Sequence, residues 1–479
     1  MIINVRKDLP AMALGTLALV ISAFLGPVNH YAVAALLLIC AVAAYLYIAI
    51  VQTDKNWFDI RAMFSAIWLA TLGLAALRLS GYQVEWEKKT WFLMAAAYMM
   101  FHLGVDVGSV YGEKCCKWVK KWADKNSAKF HLNGERLFWI CLGVTLFGLA
   151  CFALNVKIKG YIPFFSSEQD TYVSFYTKIY TFSIAATMIS DLCYYTLKTQ
   201  KLSVWKKVFL WISIVYATFV YPTLVVSRGA FLTAALSLTT ALYYLNKKKF
   251  KVLLLCAVLI VGIYGVTTKA RGYTEEQLNT FFEPVTIGGD EDSKDPDEMT
   301  DETDPEESEP GELTEENGEG FQLSGTASFI YSYLTVSHDN VNEAVRLNDK
   351  YTYGVRQLEP FNVILRIDAL TEALNNCHYY YVRPHLNTVN LIGNAYYDFG
   401  FIGVVVLMFL WAFVFGFIQA YHITGDGIFS LLALGNAMSP VMLGFHAPWM
   451  SYFTMWMHWG LILLMFIATY IPVSIISKK

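Results

Sequence analysis

Residues 208–245 read VFLWISIVYATFVYPTLVVSRGAFLTAALSLTTALYYL, and Arg228 is the one charge among them. At about 1.5 Å per helical residue the stretch supplies about 57 Å, close to two crossings of a hydrocarbon core of about 30 Å. Ser227-Arg228-Gly229 breaks it into a tight hairpin, with spans near 208–226 and 229–245. In lipid every backbone amide has to be satisfied within the protein, and a continuous helix does this alone. Similar apolar runs recur near 8–27, 31–51, 58–78, 91–110, 137–156, 173–196, 252–268, 401–421, 428–446 and 452–473. The fold class is therefore an all-α polytopic membrane protein with about twelve transmembrane helices.

Composition agrees. The chain is 56% hydrophobic and 16% charged, against roughly 25% charge in soluble domains, and its mean hydropathy is +0.42. Met1 to Lys7 leads into an apolar run without a small-residue cleavage site, so the first helix reads as a retained span. Of the 8 cysteines only Cys377 is expected to lie well outside the membrane, which excludes a disulfide framework on its outer side. Adjacent Cys115 and Cys116 have no second pair to complete a metal site. No repeat in register is visible, which weighs against transporter folds built from duplicated halves.

Lysine and arginine set the orientation. Lys114, Lys117, Lys120, Lys121, Lys125, Lys129 and Arg136 follow the fourth span, and Lys198, Lys201, Lys206 and Lys207 follow the sixth. Lys247, Lys248, Lys249 and Lys251 follow the eighth, and Lys478-Lys479 end the chain. An even number of spans separates these clusters, so all are expected on the cytoplasmic side with both termini. The chain then divides into a bundle at 1–268, an outer loop at 269–400 and a closing bundle at 401–479. Within the loop, Asp290 to Glu319 is almost wholly Asp, Glu, Ser, Thr, Pro and Gly and is expected to be disordered. It contains no calcium-binding loop pattern. The stretch 321–394, rich in aromatics and arginine, is expected to fold as a cap over the outer mouth of the bundle.

That outward side collects Arg228, Arg271, Arg356, Arg366 and Arg383, against the positive-inside bias. Guanidinium forks bind phosphate bidentately, and beside a bilayer the phosphate at hand is a headgroup or a lipid pyrophosphate. Arg228 lies at the expected N-terminus of the eighth helix, whose amides and dipole would add to its pull on an anion. A snorkelling arginine in a hairpin turn is the alternative by position. His385 is a candidate proton acceptor, with His338, His378 and His446 competing for the role. Asp398, expected at the start of the tenth span, reads either as a site carboxylate or as a helix N-terminal charge. His102 and Asp106 share a face of the fourth span, and Asp59 and Arg61 open the third, so a proton path or plain helix anchoring is open there. No Walker loop, GxSxG elbow, HExxH or DxD pattern occurs, which disfavours nucleotide-driven chemistry.

Five stretches carry a family resemblance: Asp59 to Trp68 (DIRAMFSAIW), Lys159 to Ser166 (KGYIPFFS), Ser227 to Leu232 (SRGAFL), Tyr331 to Asn340 (YSYLTVSHDN) and Asn387 to Gly403 (NTVNLIGNAYYDFGFIG). With them the chain resembles the bacterial oligosaccharide repeat-unit polymerases, the Wzy-type polymerases of O-antigen, capsule and exopolysaccharide, which are relatives of the O-antigen ligases. The resemblance implies a GT-C-like helical bundle acting at the outer face of the bacterial plasma membrane. Its substrates would be undecaprenyl-pyrophosphate-linked oligosaccharides, joined with release of undecaprenyl pyrophosphate and without cofactor, metal or nucleic acid. Membrane lipid, and a chain-length regulator and flippase of the same pathway, would be its partners. It makes Arg228 a pyrophosphate-holding residue and puts Arg383 and His385 in the functional outer loop. Arg271, Arg356, Arg366 and Asp398 are the further substrate-binding candidates. The acidic stretch at 290–319 is a departure from the family. A ligase, or a transporter or flippase of lipid-linked sugars, is the competing reading.

Overall fold

Apolar runs become helices here because their backbones pair internally and their ends carry built-in caps. In the computed structural model, residues 5–125, 134–165, 189–225, 227–246, 250–258, 325–383 and 386–470 are described. Helix α1 is Val5–Leu25, α2 is His30–Tyr47, α3 is Ile60–Ala76, α4 is Lys88–Lys125 and α5 is Gly134–Lys159. Then come α6, Ile189–Thr199, α7, Val204–Val215, α8, Arg228–Leu245, and a helical stretch at 250–258, α9. The later helices are α10, Gly325–Leu347, α11, Val355–Leu365, α12, Asp368–Asn375, α13, Leu391–Gly425, α14, Ile428–Leu443, and α15, Phe453–Tyr470. No strand occurs among the described residues.

The side chains of Asn29, Asp59, Ser227 and Asn390 accept the first free amides of α2, α3, α8 and α13. α7 runs on through a π turn at Tyr216–Val220 into Tyr221–Leu224. Pro222 explains the turn: it has no amide to donate, and its ring crowds the carbonyl four residues back.

By length and apolarity His30–Gln52, Lys88–Trp122, Gly134–Lys159, Val204–Leu224 and Leu391–Gly425 can each cross a membrane. Leu9–Leu25, Ile60–Ala76, Ile428–Leu443 and Phe453–Ile467 are shorter apolar helices. Two boundaries differ from expectation. The fourth span continues to Lys125, so its basic loop is mostly more helix. The tenth begins at Leu391 rather than 401, because Asn390 caps it there. Gly400 breaks that helix at φ 62° and ψ −148°, a region open to glycine alone.

Among the described helices, α4 and α13 share the most extensive contact. A Cβ at Gly108 would lie 2.0 Å from the Phe413 carbonyl oxygen, and one at Gly416 2.3 Å from that of Val105. Small residues let backbones touch, which supplies the packing that lipid does not drive. One apolar core joins α1 to α4 with α13 and α14, and a second joins α5 to α8 with α14 and α15. Outside them, Ile39, Leu254, Ile402 and Leu464 are exposed, as a lipid-facing surface requires.

The loops sort to two ends. At one, Trp57 meets Tyr243 and Phe250, and Lys120 reaches the Thr424 carbonyl. At the other, the segment 77–87, the head of α8, α10 and the segment after α14 converge. The lysine-bearing segments near 120 and 250 lie at the first end. α10 packs on α3, α4 and α13, and α11 on α13, α15 and the short turn Trp449–Ser451.

Candidate functional site

Ser227 and Arg228 open α8. The Ser227 hydroxyl oxygen accepts from the Ala230 amide at 3.2 Å, which fixes the turn and presents Arg228 as the first helical residue. A snorkelling arginine would show its guanidinium to water, but Arg228 is only 4% exposed. Its Cζ lies 4.9 Å from the ring centre of Phe329 and 5.5 Å from that of Tyr333, both on α10. Such contacts stabilise a desolvated cation by about 1–2 kcal/mol. On Tyr333 stacks His446, with ring centres 3.9 Å apart and planes 25° apart. Burial, and the nearby Arg228 charge, push the His446 imidazole down to about 4, against a hydrogen bond to the Tyr333 backbone. Trp449 stands 3.7 Å from where a Cβ on Gly229 would be, closing the side of the turn.

α10 holds this cluster in place through a buried polar row. His338 bonds Thr71 on α3 at 2.9 Å and Asn390 at 3.2 Å. Asp339 accepts from the Trp86 indole at 2.8 Å and from Gln83 at 3.0 Å. Burial pushes that carboxyl up to about 7, against the two donors and the charge of Arg78. Asn340 donates to the Leu386 and Thr388 carbonyls, each at 2.7 Å, and accepts from the Val382 amide at 2.9 Å. Asn342 accepts from the Glu87 amide and from Thr90. Each of these bonds replaces one to water, so a lost partner would leave a buried group unsatisfied at a cost of about 1–3 kcal/mol.

Asn340 thereby positions Arg383, which is buried in the segment it pins. Asn340 and Tyr333 are seven residues apart on α10, so Arg383 and Arg228 are served from points roughly 10 Å apart along one helix. Arg356 is placed differently. Its guanidinium lies 3.6 Å from the ring centre of Tyr379 and 4.5 Å from that of Tyr397, and donates to the His378 carbonyl at 2.6 Å. Asp398 lies inside α13, just before its break, rather than at its start. It accepts from the amides of Arg356 and Gln357, each at 3.2 Å, and from Thr352. Gly354, which precedes α11, has no side chain to cap that helix, so Asp398 supplies the anion its N-terminus favours. Arg366 is exposed in the left-handed turn after α11. Arg271, His385 and the stretch 290–319 lie outside the described residues.

Phe329, Tyr333 and Trp449 are not candidate site residues by sequence, although Tyr333 lies within the stretch Tyr331 to Asn340. The signal was the aromatic spacing at 329 and 333 on a helix that begins so near an arginine-rich side. At the opposite end Arg61 bonds both Asp106, at 2.7 Å, and Asp59, at 3.3 Å. His102 bonds Ser65 at 3.0 Å. Among the described residues no group of three or more His, Cys, Asp or Glu is gathered for a metal.

Residues 57–287 match the family model described as "Putative O-antigen polymerase". The match includes the stretches at 59–68, 159–166 and 227–232, and with it the Wzy-type resemblance read from the sequence is shown. No curated protein and no solved structure matches the chain.

Proposed function

We propose that the chain polymerises undecaprenyl-pyrophosphate-linked repeat units into a surface polysaccharide, at the outer face of the bacterial plasma membrane. The family match supports a part in polysaccharide polymerisation. One observation carries the finer reading: an enclosed arginine at the head of α8, flanked by aromatic rings and a histidine, at the end of the bundle away from the lysine-bearing segments. By the positive-inside rule that end faces outward, where flipped lipid-linked sugars are found. In the reaction an acceptor hydroxyl attacks the anomeric carbon of the growing glycan and undecaprenyl pyrophosphate departs. Negative charge grows on the departing oxygen, and Arg228 with the first amides of α8 is placed to stabilise it. Arg383 is the second guanidinium of the site, and Arg271 holds the second carrier. Arg356 and Asp398 shape the loop around them, while Arg366 meets headgroups. The outer loop would also meet a chain-length regulator and a flippase.

A ligase would use the same donor chemistry on a different acceptor. A transporter would need charges along a path through the bundle, yet the Arg61, Asp59 and Asp106 charges are tied to one another at one end. The test is reconstitution with purified lipid-linked repeat units. Ladders of longer glycan with released carrier pyrophosphate are expected, and Arg228→Ala should lower the rate about 100-fold or more. Elongation at the wild-type rate in that variant would remove Arg228 from the chemistry. Translocation without elongation would favour transport.

A further inference from the structure

The histidines around the cap differ in what their rings are free to do. His338 has both ring nitrogens engaged, by Thr71 and by Asn390. His378 is exposed, and its backbone carbonyl receives Arg356. His446 lies just after α14 in a segment held from three sides. The Leu391 amide donates to the Gly444 carbonyl at 2.9 Å, the Ser337 hydroxyl donates to the Phe445 carbonyl, and the His446 amide donates to Leu443 at 3.0 Å. Its ring lies flat on Tyr333, which also lies against Arg228. Its Nδ1 is buried and makes no hydrogen bond among the described residues. A ring fixed in plane with one nitrogen unspent, beside a guanidinium, has the geometry of a proton acceptor next to an anion site.

We propose that His446 takes the proton from the attacking hydroxyl, with Tyr333 setting its ring plane and Arg228 holding the donor pyrophosphate beside it. This rests on the polymerase reading above. The acceptor oxygen forms the new bond to the anomeric carbon. The bond from that carbon to the pyrophosphate oxygen breaks, and its electron pair leaves with the pyrophosphate. The hydroxyl proton passes to Nδ1 and returns to water when product departs. Nδ1 therefore carries the lone pair before reaction, with the ring proton on Nε2. The titratable and charged groups acting on the ring are Arg228 from α8 and Tyr333 and His338 from α10. Burial and the Arg228 charge hold it neutral down to about 4. The neutral ring accepts the proton, so the rate holds through neutral pH and is lost as pH falls through the ring's pKa.

The test uses the full chain in liposomes with lipid-linked repeat units extracted from cells lacking the polymerase. Undecaprenyl pyrophosphate serves as a separate binding probe. His446→Gln and His446→Asn should each lower kcat by about 100-fold or more. KM should stay within about two-fold and carrier binding should persist. The acid limb of kcat should vanish, and added imidazole should restore part of the rate. Wild-type kcat in either variant overturns the proposal, as does a raised KM at unchanged kcat, which makes His446 a binding residue. Should both variants fail to fold, carbethoxylation of the wild-type ring is followed by mass spectrometry. Modification at His446 that abolishes elongation supports the proposal, and modification that leaves the rate intact overturns it. A wild-type chain that binds carrier but never elongates overturns the polymerase reading first, whereas loss confined to the His446 variants concerns the histidine alone.

Discussion

Arg228 combines a fixed charge, a buried fork and the head of a helix, and these can be separated by substitution. Arg228→Lys keeps the charge but loses the planar fork and its stacking on Phe329 and Tyr333. We predict a fall of about 10-fold to 100-fold in kcat/KM for lipid-linked substrate, smaller than for Arg228→Ala, with the protein still folded. Equal losses in the two variants would mean that the charge contributes nothing. The sequence SRGAFL pointed to this arginine from charge and position. It left snorkelling open, because exposure depends on what packs over the turn. α10 comes roughly a hundred residues later in the chain and supplies that cover. His385, the histidine favoured by spacing, lies outside the described residues; among those described, His446, contributed by the segment after α14, has its ring beside Arg228.

At the scale of helices, two junctions make separate predictions. Asp398 serves as the missing cap of α11, so Asp398→Ala should cost about 0.5–2 kcal/mol and speed amide exchange at 355–358. Unchanged exchange there would show that α11 starts without it. The α4–α13 contact leaves no room at Gly108, where a side chain would meet the Phe413 carbonyl. Gly108→Leu should therefore force the helices apart and sharply lower the yield of folded protein in detergent, with overpacking of this kind costing about 1–3 kcal/mol or more. Gly143→Leu, on α5 with nothing within 4 Å, should be tolerated and serves as the control. Among the described residues hydropathy located the apolar helices, because lipid rewards a simple run of apolar residues. It misplaced the start of α13, because Leu391 to Gly400 is polar enough to read as loop and is helical through its cap and its contacts with α10.

At the scale of the whole molecule, the orientation proposed above can be read with native thiols. Cys377 on the cap and Cys115 near the basic end of α4 are both partly exposed, while the other free cysteines are buried. A membrane-impermeant maleimide applied to intact cells should label Cys377, and Cys115 only after permeabilisation. The reaction is best run near pH 8, since burial raises the Cys377 thiol above its ordinary value. Labelling in the reverse order would place the arginine-bearing end in the cytoplasm and sink the outer-face reading. Sequence alone determined the solvent of this protein, its helical class and the gathering of lysines in a few short segments. Those are properties of runs and composition, which need no partner in space. It also carried the family resemblance, through short motifs that are local. Only the tertiary structure decided which polar residues are anchors and which border the site. His338, Asp339 and Asn340 look equally suited to chemistry in a string, yet each faces a different neighbour that satisfies it. What leaves a group spent or unspent is the set of donors and acceptors brought to it by distant segments, and that set is fixed only when the helices pack.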